Sequence, residues 1–290
     1  MRIDGTRLMA IVVGTRRATW VQRALVYATL SALVVVFLFP LLWIAGLSLK
    51  TRMQTFADPP LYLWWPTFEN YADVLGRSDF MMAFVNTLLV SGSAVGLSLC
   101  VGVPAAYAFA RFPFRGRSFL FFALLVMRML PPIAVLVPMY VLFSKIGLTT
   151  TRLSVVLAYA TFSLPLVVWI MRGFFEDLPP ELEESAWIDG ANRYSAFAHI
   201  VMPLAKPGMV AAAILCLQLA WNDFLFAAVL TNNATQTLPV KMMTFSAGDS
   251  GVDWGGVTAS GMLVILPVIV FSFLAQRHLV AGLSSGAVKG

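Results

Sequence analysis

Arg128 interrupts a run of apolar residues that extends from 118 to 143, and two prolines, Pro131 and Pro132, follow it closely. If that run crosses a bilayer, a guanidinium near its middle costs about 2.5 kcal/mol or more to insert. It must then face other protein or a polar cavity. Asn222 and Asp223 sit together in a second apolar run. Amide and carboxylate groups in such surroundings either meet a polar solute or brace neighbouring helices, and the residues alone leave both roles open for Arg128, Asn222 and Asp223. Catalytic chemistry has little to work with. The two histidines, His199 and His278, and the two cysteines, Cys100 and Cys216, are far apart in sequence. They match no metal-ligand spacing, and no disulfide framework is expected. No Ser/His pair falls in facing apolar runs, as an intramembrane protease would need. No Gly-x-x-x-x-Gly-Lys-Ser/Thr loop occurs, so the chain is not expected to split ATP itself. No catalytic residue and no metal site is assigned.

Composition says what holds these residues. The chain has 290 residues, 59% hydrophobic and 12% charged, with a mean hydropathy of +0.82. Soluble domains carry roughly 25% charged residues, so this chain lacks the polar groups to cover a water-facing surface. A lipid bilayer is the expected surrounding. Each helical residue rises about 1.5 Å, so a hydrocarbon core of about 30 Å takes about 20 residues. Six apolar stretches reach that length: 24–49, 83–110, 118–143, 153–174, 209–230 and 256–274. Helices are required, because an open sheet in lipid leaves backbone groups unpaired. The fold class is therefore all-α, a polytopic membrane protein with six transmembrane helices. The first stretch is too long for a cleaved signal peptide and reads as a retained span.

Lys and Arg set the orientation. With the N-terminus in the cytoplasm, 13 of the 20 basic residues fall inside and 6 outside, Arg128 being the remaining one. Both termini are then cytoplasmic. The net charge of +6 is taken up by this asymmetry, and no nucleic-acid partner is expected. Residues 1–23 form a cytoplasmic segment, and 24–82 hold the first span and an external loop. The loop's Trp64 and Trp65 suit the headgroup layer. Residues 83–276 form a five-helix core, and 277–290 a cytoplasmic tail.

The core contains a long cytoplasmic loop, 176–207. Bundle connections usually take roughly 2–8 residues, so a loop of this length invites a partner. Pro179 and Pro180 suit a helix start, and Glu181, Glu183 and Glu184 suit its positive N-terminal end. Leu182, Ser185 and Ala186 are spaced to share a face. Gly190 suits the left-handed turn that ends the helix, and Asn192 suits the cap of a second one reaching Ile200. Pro203 and Pro207 are expected to close the loop. The result is a helix–turn–helix knob beneath the membrane.

Within the knob, Glu184-Ser185-Ala186, then Gly190, then Ile200-Val201-Met202-Pro203 resemble the EAA motif of binding-protein-dependent ABC permeases, with every spacing met. Phe68-Glu69-Asn70-Tyr71, Ala105-Ala106-Tyr107-Ala108-Phe109-Ala110-Arg111, Trp221-Asn222-Asp223 and the final residues through Lys289-Gly290 are similar to the carbohydrate-uptake branch, and in particular to the smaller (MalG-like) permease of maltose-type importers. The resemblance implies the type I ABC importer permease fold and the import of a sugar or sugar-like solute by alternating access. It implies that Glu184, Ser185, Ala186, Gly190, Ile200 and Pro203 couple the chain to a dimer of ATP-binding subunits, with Glu184 a polar anchor and Ala186 allowing close approach. It implies that Ser285, Gly286 and Lys289 of the tail reach toward those subunits. No cofactor is expected in this chain; ATP and Mg belong to the partner subunits. The further partners implied are a second, MalF-like permease subunit and an extracytoplasmic solute-binding protein.

Overall fold

The computed structural model describes residues 20–246 and 252–286, and within them the side chains of 20–243 and 252–273. All regular structure among the described residues is helical. The helices are α1 (Trp20–Ser48), α2 (Arg52–Thr55), α3 (Glu69–Gly76), α4 (Ser78–Arg111), α5 (Arg117–Met129), α6 (Pro132–Lys145), α7 (Arg152–Asp177), α8 (Glu181–Ile188), α9 (Arg193–Ala196), α10 (Met202–Trp221), α11 (Leu225–Leu230), α12 (Leu238–Ser246) and α13 (Trp254–Gly286).

The core is built on α4 packed along α7, with α10 against both. The sequence reason is a row of residues every fourth position on α4: Val90, Ala94, Ser98, Gly102 and Ala106, all buried. Lipid tails are as apolar as any side chain, so helices in a bilayer associate by close packing, and small residues permit it. Gly102 shows how close: a Cβ there would lie 2.7 Å from Val167 Cγ1. The hydroxyls in this seam are satisfied within the helix, Ser98 Oγ donating to the Ala94 carbonyl at 2.8 Å and Ser91 Oγ to that of Thr87 at 2.6 Å. Such back-bonding is what a membrane interior demands of polar groups.

Among the described residues five helical stretches are long and apolar enough to cross a bilayer, and the pair α5 and α6, bent by 98°, counts as a sixth when taken as one broken span. One span is expected over 118–143, but the chain turns by about a right angle there. Leu130, preceding Pro131, is extended at φ −65°, ψ 133°, the conformation that a following proline favours. Pro132 then opens α6, where its missing N–H is no loss. The expected span over 209–230 also differs. α10 begins at Met202, ends at Trp221, and is separated from α11 by Asn222–Phe224. Pro203 and Pro207 do not close the loop; they lie within α10. A wide π-helical turn, Phe197–Val201, precedes them, leaving room for a proline ring that would clash in a regular helix.

α1 is exposed on nearly its whole length and packs mainly on α13, with the Ser48 and Tyr71 hydroxyls 2.7 Å apart where its last turn meets α3. α13 continues through residue 286, so most of the segment set apart as a tail is continuous with the last helix. Ser285 and Gly286 lie in that helix, while Lys289 and residues 1–19 lie outside the described residues.

Candidate functional site

The knob is at one end of the bundle. Its first helix, α8, has three acids in the first turn, and its turn is made by Gly190 at φ +88°, a left-handed conformation that costs any other residue about 1–2 kcal/mol. Asn192 caps α9, its Oδ1 accepting the Ser195 N–H at 2.8 Å. These features agree with the expected helix–turn–helix. The faces do not. Leu182 and Ser185 are exposed, whereas Glu183 and Ala186, three residues apart, are buried at 3% and 6% exposure. The close approach made at Ala186 is therefore internal, where α8 packs on α9 and the π turn. Glu184 points outward, with Ile188 and Tyr194, each 87% exposed, at the tip. Ile200 is half-buried, and Pro203 sits at the start of α10.

Glu183 is the residue that motif spacing missed. Its Oε1 accepts Arg111 Nε at 2.6 Å, and its Oε2 accepts the Tyr107 hydroxyl. Arg111 also donates Nη2 to the Leu178 carbonyl at 2.8 Å, at the turn between α7 and α8. The Tyr107 ring packs against Phe197 of the π turn at 4.6 Å between centroids, and edge-on to Phe175 of α7 at 5.6 Å. One cluster thus ties α4, α7, α8 and the π turn. Removing one partner of a buried ion pair costs roughly 3–5 kcal/mol, because the other charge stays buried. A signal was present: Glu183 precedes Ala186 by three, so the two share a helix face.

The mid-bundle residues divide. Arg128 and Asp223 line one cavity of about 290 Å³, together with Pro132, Tyr159, Phe162 and Phe226. Arg128 Nη1 donates to the Phe162 carbonyl of α7 at 2.9 Å. The neighbouring Ser163 carbonyl also takes a side-chain donor, Cys216 Sγ at 3.7 Å. Asp223 accepts the Phe226 N–H at 3.1 Å, capping α11, while its carbonyl accepts the Tyr159 hydroxyl at 3.3 Å. Asn222 is exposed, donates to the Gln218 carbonyl at 2.8 Å, and is not among the residues lining the cavity. A cavity with a cation, a carboxylate, a hydroxyl and two phenyl rings suits a polar solute with apolar faces.

The end opposite the knob is stitched through α4. Asn86, fully buried, donates to the carbonyls of Ala234 and Gln236, both at 3.0 Å, and accepts Arg152 Nε at 2.7 Å. Thr87 Oγ1 accepts the Leu238 N–H at 2.8 Å, and Lys241 pairs with Asp79 at 2.5 Å. Among the described residues no group of three or more His, Cys, Asp or Glu is placed to hold a metal ion, and both cysteines are free.

Comparison with known proteins agrees with this architecture. Residues 98–285 match the family described as binding-protein-dependent transport system inner membrane component. The trehalose transport system permease protein SugB of Mycobacterium tuberculosis is 40% identical over 280 residues, covering 96% of this chain and 100% of that protein. The trehalose/maltose transport system permease protein MalG of Thermococcus litoralis is 30% identical over 261 residues, covering 89% and 94%. One chain of a bacterial ABC transporter involved in the import of the acidic polysaccharide alginate has the same fold, with a TM-score of 0.76 at 23% identity, covering 91% of this chain and 99% of that one. The fold is that of type I ABC importer permeases, and the chain belongs to the binding-protein-dependent permeases, the membrane subunits of ABC importers.

Proposed function

We propose that this subunit moves a sugar or sugar-like solute into the cytoplasm by alternating access, driven by ATP-binding subunits that grip the knob. The observation that carries the reading is the knob itself, which turns an apolar tip and Glu184 away from the bundle while a buried acid fixes its other face. Apolar side chains such as Ile188 and Tyr194, exposed beneath a membrane rather than within it, mark a contact surface. The basic residues Arg111, Arg115, Arg117, Arg172, Arg193 and Lys206 lie at or near this end, which supports a cytoplasmic knob. The sugar assignment is supported by relatives named for trehalose and maltose. Arg128 and Asp223 line the passage, and Asn222 stands at the break in the helix beside it.

Mechanistically, closure of two ATP-binding subunits around ATP and Mg would draw the knobs of this chain and of a second, MalF-like permease together, and the cavity would change the side it faces. The coupling is a difference in contact energy between the two states. Ser285, Gly286 and Lys289 would reach the same subunits. A solute-binding protein outside would deliver the solute. Reconstitution with the co-encoded subunits in proteoliposomes tests this, with radiolabelled trehalose and maltose as probes. Uptake that requires both enclosed ATP and the binding protein is expected. Uptake that runs on an ion gradient without ATP would make the chain a secondary transporter.

A further inference from the structure

The outward face of α8 receives a partner on the reading above, but a gripped knob does no work unless its movement reaches the helices. The connections from α7 into α8 and from α8 into α9 are short turns, at Leu178–Pro180 and Asp189–Asn192, and turns of that kind pivot. Something must cross-brace the knob to the bundle. The ion pair from α8 to α4 sits in one cluster, and beside it Arg193 of α9 lies over the Phe112 ring at 5.4 Å. Glu183, with its side chain 4% exposed, holds Arg111, 16% exposed, and the Tyr107 hydroxyl. Tyr107 and Arg111 are four apart, so both project from one face in the last turns of α4. The same Arg111 holds the Leu178 carbonyl at the pivot itself.

We propose that Glu183 is a positioning residue of the transport cycle: it clamps α8 to the end of α4, so that knob and helix move as one body and force applied to the knob is delivered to α4. The neighbouring Glu184 faces the partner and Glu183 faces the bundle, so the two acids divide gripping from transmission. α4 is a suitable receiver. It makes the most extensive packing with α7, and its far end carries Asn86 and Thr87, which hold the 234–238 segment on the other side of the membrane. The brace is strong in the direction required. A charged hydrogen bond from Arg111, a second hydrogen bond from the Tyr107 hydroxyl to the same carboxylate and a packed ring resist sliding and rotation together. A neutral amide at position 183 would retain the shape and lose the charge that Arg111 is committed to.

Distance measurement between spin labels tests this on the full-length chain in nanodiscs. The labels are placed at Ile188→Cys on the knob and Leu97→Cys on α4, in a Cys100→Ser, Cys216→Ala background. For the chain alone, the parent gives one narrow distance. Glu183→Gln loses the narrow peak, Tyr107→Phe broadens it less, and the exchange Glu183→Arg with Arg111→Glu restores it. In the complete transporter, the parent distance is the same in nucleotide-free and ATP–vanadate-trapped states, because knob and α4 travel together, whereas in Glu183→Gln it shifts on trapping. Restoration by the exchanged pair would not follow from a merely well-packed Glu183. A Glu183→Gln chain with a narrow distance that is unchanged on trapping overturns the clamp. Failure of the parent chain to take up any ATP-binding subunit counts instead against the functional reading, and the arm with the chain alone still decides the clamp.

Discussion

Glu183 and Glu184 are adjacent and face opposite ways, which is the difference between a charge sharing water and a charge that must be paired. The sequence reading placed both in the first turn of a helix and stopped there, because the partners of Glu183 are 72 and 76 residues away. No local pattern joins them. Arg128 was legible on its own, since insertion cost alone forces it toward protein or a cavity. Its partner, a backbone carbonyl of α7, was not, because every helix offers carbonyls. Arg128→Gln should abolish most uptake in a complex that assembles normally. Asp223→Asn should reduce uptake while leaving thermal stability close to that of the parent, since Asn caps a helix about as well as Asp. Both are checked by proteoliposome uptake alongside size-exclusion profiles. Unchanged uptake in both variants would confine these residues to bracing.

Glycines at the element scale separate close packing from mere flexibility. Gly102→Leu drives a side chain into Val167, and overpacking of this kind costs about 1–3 kcal/mol. Gly190→Ala forces a Cβ into a left-handed turn at about 1–2 kcal/mol. Both should lower the thermal midpoint of the detergent-solubilised chain in scanning fluorimetry. Gly92→Ala, on the exposed face of α4 with no atom beyond its own helix backbone within 4 Å of the added carbon, should not, and a loss there would mean that this face packs more closely than described. Element existence was readable from apolar length. What was not readable was how prolines act in context. Pro131 and Pro132 turn the chain by 98°, while Pro203 and Pro207 are absorbed into α10 after the π turn. The same residue type breaks one helix and is carried inside others, Pro104 in α4 and Pro165 in α7 among them.

Across the whole molecule, polarity runs from end to end. One end carries the knob and the charged brace on α4; the other holds the 234–238 segment, Lys241 with Asp79, and Arg77 with Asp253 at 3.9 Å. α1 and the outer faces of α5 and α6 expose apolar side chains, as fits surfaces that meet lipid or another subunit. On the function proposed above, the knob lies in the cytoplasm, within reach of an ATP-driven partner. Labelling of Ile188→Cys, in the Cys100→Ser, Cys216→Ala background, with a membrane-impermeant maleimide tests this most directly. Labelling is expected in inside-out vesicles and none in right-side-out vesicles. Labelling of intact right-side-out vesicles would put the knob on the far side of the membrane and contradict it.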